Sequence, residues 1–146
     1  MDVESAIKVA EGLLPGRGPI VHERDPRWLA LLGIRRHVGA EPEAVWEFVS
    51  RWGAAGEATL RHALAVCLLQ ELLGLHFMQY FTRVDERVRE EHLFADTFRR
   101  SAKQGQSLLP AQAAAFDELA GFAAQFCGMD SPATGYRVRA APPGVE

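Results

Sequence analysis

The chain has 146 residues, long enough for one domain with a real core, and its 48% hydrophobic and 24% charged content is that of a globular protein. Sixteen basic against nineteen acidic residues leave a formal net charge of -3, which removes any global attraction to nucleic acid or an anionic membrane. Met1 to Leu14 mixes Asp2, Glu4, Lys8 and Glu11 with its apolar positions, unlike a secretory signal, so a cytoplasmic location is expected. Cys67 and Cys127 stand far apart without CxxC spacing and read as two free thiols.

In chain order, Val3, Ile7, Ala10 and Leu14 share one face of a first helix, which the Pro15 to Pro19 stretch ends. Asp25 then reads as an N-cap with Pro26 at the first helical position, and Trp28, Leu31, Leu32 and Val38 supply the inward face. Glu41-Pro42-Glu43 opens a third helix with Val45, Phe48, Val49 and Trp52 as its stripe. Trp46 lies one residue off that stripe and is expected at the surface.

Leu60 to Leu73 is apolar on almost every side and reads as the central helix, covered all round. Arg61, His62, Gln70 and Glu71 interrupt it, so its unbroken apolar run is shorter than the roughly 18 residues of a membrane span. From Phe77 the pattern narrows to Phe77, Phe81, Val84 and Val88, a one-sided stripe. With Gly74 and His76 at the change of period, a tight helical hairpin is expected there. Phe94, Phe98 and Ala102 line a shorter helix that Gly105 stops. Ala115, Phe116, Leu119, Phe122, Ala123 and Phe126 line a last one, starting at Leu109-Pro110. No segment alternates strictly, so the fold class is all-α, either a compact bundle or a short α-solenoid of antiparallel helix pairs. Residues 1–127 form the single domain, and 128–146 read as a loosely ordered tail.

The run EPEAVWEFVSRWG, then LRHALAVCLLQELLGLHFMQYFTRVDERV and LFADTF, resembles small bacterial HEAT-like helical-repeat proteins, mostly of unknown function, over roughly Asp25 to Gln106. The resemblance implies stacked helix pairs that present a concave surface to a partner, and it brings no catalytic residues. An adaptor or toxin-neutralising role follows by analogy alone.

No chemical motif is assembled in the sequence. His22, His37, His62, His76 and His92 lack HExxH or Glu-x-x-His pairing, so no metal is expected, and neither a nucleophile elbow nor a phosphate loop occurs, so no catalytic residue or cofactor is assigned. Glu43, Glu47 and Arg51 follow at one-turn intervals and read as a polar ladder, and the i,i+4 pairs Asp85 with Arg89 and Arg87 with Glu91 read as helix support. The resulting expectation is a non-enzymatic module that binds a protein partner through Glu43, Trp46, Glu47, Arg61 and His62. The alternative is a nucleic-acid-binding protein using Arg35, Arg36 and Arg61.

Overall fold

A computed structural model describes residues 1–15 and 18–130, with side chains to Cys127. Helices pack against one another throughout, and no strand occurs among the described residues. The architecture is an all-α compact bundle.

Short polar side chains start most of the helices. Helix α1 (Val3–Leu13) is capped by Asp2, whose carboxylate accepts the Ser5 N–H at 2.8 Å. Helix α2 (Pro26–Arg35) begins with Pro26, and Asp25 accepts the Arg27 N–H at 2.9 Å. Helix α3 (Pro42–Trp52) relies on Pro42 at its first position, because Glu41 makes no capping hydrogen bond. Glu57 caps α4 (Ala58–Leu64), which passes through a π-helical turn (Ala65–Leu69) into α5 (Gln70–Glu90). Glu91, extended, separates α5 from α6 (His92–Arg99) and caps it through the Leu93 N–H. A 3-10 turn (Gly105–Leu108) leads to α7 (Pro110–Asp130). Of the tail expected over 128–146, residues 128–130 still belong to α7, and 131–146 lie outside the described residues.

Leu60, Ala63, Leu64, Ala65, Cys67, Leu68, Leu69, Leu72 and Leu73 are all buried, as the all-round apolar pattern requires. By length and composition Ala58–Glu90 would also pass as a membrane span, which removes the length argument made above. Its packing carries the reading as a core helix: 56% of its most apolar window is buried inside the chain.

The hairpin expected at Gly74 to His76 is replaced by a kink. His76 has φ −137° and ψ 44°, but the helix resumes at once, and α5 packs on α3, α6, α7 and the 3-10 turn instead of folding back along α4. Such a break frees backbone donors, and a neighbour must take them up. Gln106 Oε1 accepts the Phe77 N–H at 2.9 Å, while His76 Nε2 lies 3.0 Å from the Val38 carbonyl. Gly74 does not have the positive φ of a helix-ending glycine; it allows close approach. A Cβ on Gly105, which has φ +54°, would lie 2.5 Å from the Gly74 carbonyl oxygen. The loop after α6 therefore staples the kink, with the Gln70 and Gln104 amides bonded at 3.0 Å and Gln104 donating to Glu71 at 2.8 Å.

Near the other end of the bundle, buried Arg27 fixes the start of α2. It reaches Asp25 Oδ2 at 2.7 Å and donates to the Gly18 carbonyl at 2.7 Å. Hydrogen bonding from the Arg27 side chain and backbone holds the Asp25 carboxyl down at about 2.

Two outcomes follow. Gly105→Ala adds left-handed backbone strain and a Gly74 clash, lowering unfolding free energy in urea by about 2–4 kcal/mol. In acid, the unfolded chain takes up the Asp25 proton first, because the folded value lies below the ordinary 3.8. The stability contributed by that pair is complete above pH 3.8 and drains away toward about 2. Urea titrations across that window show Asp25→Asn with a shallower loss than the parent chain.

Candidate partner-binding surface

The residues expected to form a binding ridge mostly form an internal seam instead. Trp46 is 8% exposed and packs edge-on to Phe94 at 6.0 Å, with Tyr80 at 6.3 Å. Its expected exposure fails because Tyr80 of α5 and Phe94 of α6 both cover it, so the buried arc of α3 is wider than one stripe. Glu43 is exposed but committed: Arg83 donates to both its oxygens at 2.8 and 2.9 Å, and the Tyr80 hydroxyl donates at 3.0 Å. The hydrogen bond from Arg83 outweighs desolvation and keeps the Glu43 carboxyl below its ordinary range. Arg87 lies over the Phe94 ring, 5.4 Å from its centroid, and donates to the Ser50 carbonyl at 3.1 Å, so its expected pairing with Glu91 gives way to the α3–α5 seam. Nor does the Glu43, Glu47, Arg51 ladder form, since Arg51 pairs with Glu11 on α1. Asp85 and Arg89 do pair, at 2.6 Å.

Arg61 is the second correction. At 8% exposure it is unavailable to a protein partner or to phosphates. Its Nε donates to Asp96 Oδ2 at 2.8 Å, and its Nη1 to the carbonyls of Ala55 and Gly56 at 2.8 and 3.0 Å. Asp96 also holds Arg100 at 2.8 Å and Arg99 at 2.9 Å. Burial works against its charge, but the hydrogen bonds from Arg100 and Arg61 prevail and keep its carboxyl below the usual range. Asp96 was not singled out by its sequence, although its i,i+3 and i,i+4 spacing to Arg99 and Arg100 was visible there. Thr97 donates to the Gly53 carbonyl beside it, tying α6 to the end of α3.

Of the residues expected in the ridge, only Glu47 and His62 are exposed without such a commitment, and Trp46 between them is inside. For the nucleic-acid set, Arg35 bonds Glu71 at 3.1 Å, Arg61 is buried, and Arg36 alone is exposed without a side-chain partner among the described residues. Cys67 is buried, and burial pushes its thiol up to about 12. Among the described residues no group of three or more His, Cys, Asp or Glu is placed to hold a metal ion.

The exposed apolar surface lies elsewhere. Between α5 and α7 runs a groove of about 350 Å³ lined by Phe77, Met78, Phe81, Thr82, Ala111, Gln112 and Ala115. Phe77 and Phe81 stack at 4.5 Å as its wall. Met78 is 75% exposed, and Leu108 and Leu109, just before Ala111, are 61% and 50% exposed. No lining residue is charged. Farther along the same two helices, Arg89 bonds Asp85 and lies over Phe122 at 4.6 Å, with Glu118 close enough to act on it electrostatically. The apolar groove thus ends in a polar cluster of two carboxylates and one guanidinium.

No family model, curated protein or solved structure matches this chain.

The seam and the surface separate by substitution. Trp46→Ala removes a buried aromatic and costs about 3–5 kcal/mol in urea unfolding, whereas Glu47→Ala stays within about 0.5 kcal/mol. Equal small effects would return Trp46 to the surface.

Proposed function

We propose that this chain is a non-catalytic helical module that binds a protein partner, and that the partner lays an amphipathic helix into the α5–α7 groove. The observation that carries the reading is the exposed Met78 beside the stacked Phe77 and Phe81, in a groove with no charge on its walls. Amphipathic helices dock into such grooves through apolar anchors one turn apart, and a flexible thioether adapts to their shape. The carboxylates of Asp85 and Glu118 at one end favour a Lys or Arg on the partner beyond its last anchor.

The resemblance to HEAT-like repeat proteins supports the same class of function by analogy, and an adaptor or toxin-neutralising use rests on that analogy alone. The reading takes the chain to work in the cytoplasm. Nucleic-acid binding through Arg35, Arg36 and Arg61 has less behind it, because two of the three arginines are bound to carboxylates within the fold.

Selection from a helical-peptide display library against the full chain tests this. Enriched peptides are expected to share apolar residues at i, i+3 or i+4 followed by a basic residue, and to lose at least about tenfold in affinity for Met78→Glu. Failure to enrich, or binders indifferent to that substitution while its melting temperature is unchanged, refutes the groove.

A further inference from the structure

A second cavity lies between α1 and α2 and differs from the first in chemistry. It measures about 420 Å³ and is lined by Met1, Ala6, Val9, Leu29, Ala30, Leu32, Gly33, Arg36 and His37. That volume falls within the range of small-molecule sites.

The lining is ordered along the groove. The two helices run antiparallel, since Leu13 lies by Asp25 to Arg27 while Met1 and Ala6 share the cavity with Arg36 and His37. One end is therefore apolar, with Val9 45% and Leu29 52% exposed across from each other, and the other end is basic. Arg36 has no side-chain partner among the described residues, unlike its neighbour Arg35. Asp2, the carboxylate near His37, is occupied as the N-cap of α1.

Gly33 supplies an independent observation. A glycine inside a helix costs about 1 kcal/mol relative to alanine, so its place usually reflects close packing. Here a Cβ would meet nothing within 4 Å, and the missing side chain leaves space at the cavity wall. No close contact within the fold calls for that glycine.

We propose that the α1–α2 groove binds an amphipathic carboxylate. The acyl chain lies along Val9, Leu29, Ala30, Leu32 and Gly33, and its carboxylate is held by the Arg36 guanidinium. Leu29 and Arg36 are seven residues apart, about 10 Å along a helix, which suits a chain of roughly eight to ten carbons. An ionised head on an arginine makes the stronger, charge-assisted kind of hydrogen bond, so the head group decides affinity as well as orientation.

The test is calorimetric titration of the full chain with decanoate below its micelle concentration, with amide NMR spectra recorded in parallel. Expected is saturable 1:1 binding that shifts the amides of Ala30, Gly33 and Arg36, with decanol at least about tenfold weaker. Arg36→Gln weakens decanoate by about tenfold or more while leaving the melting temperature in place. Gly33→Leu fills the groove and abolishes binding while holding or raising the melting temperature, because it removes a helical glycine. No saturable binding, equal affinity for decanol, or full affinity retained in either variant overturns the assignment.

Discussion

The constraint on which the rest of the molecule depends is the helix from Ala58 to Glu90, apolar on every side of its first half. A helix with no polar face has to be enclosed, and α2, α3 and α6 do so while α7 and the 3-10 turn cover the second half. Enclosure brings its own polar cost. At the kink at His76 the Phe77 N–H is met by the side chain of Gln106, from a loop 29 residues later in the chain. The Gly74 to Gly105 contact lets that loop come near enough to do it. Burial of one helix thus determines the conformation of a loop that carries few apolar side chains of its own.

Much of this was legible in the sequence, because helical periodicity is local information. The central helix, the Asp25-Pro26 and Pro42 starts and the α7 stripe all rest on spacings within ten or fifteen residues, and each is present in the structure. The hairpin was not, for a reason that is also physical. A glycine at a change of period is compatible with a chain reversal and with close approach of another segment. Only the position of Gly105, unknown from local spacing, separates the two.

The candidate site was legible in smaller measure. Exposed-looking charges at i,i+4 spacing invite a reading as surface ladders, but long side chains choose partners across the fold when those partners are nearer or drier. Glu43 bonds Arg83, Arg51 bonds Glu11, Arg35 bonds Glu71 and Arg61 bonds Asp96, each pairing joining positions at least 35 residues apart. None of these is visible as a pattern along the chain. Asp85 with Arg89 kept its local partner, with the guanidinium also lying over Phe122 of α7.

The same competition explains where the unpaired surface is left. Three exposed pairs of this kind contribute little each, since solvent screens them and ordering long side chains is costly. Arg61 with Asp96 is different: both groups are buried, and Arg61 also satisfies the carbonyls of Ala55 and Gly56, so losing either partner strands polar groups in the interior. Charges that serve the fold in this way are unavailable for recognition. The two grooves proposed above for recognition have linings that these ion pairs do not enter, the uncharged one between α5 and α7 and the one between α1 and α2 with its Arg36. In a chain of this size, the residues that look functional by type are largely consumed by assembly, and exposed apolar side chains such as Met78 and Leu29 mark the surface that assembly leaves over.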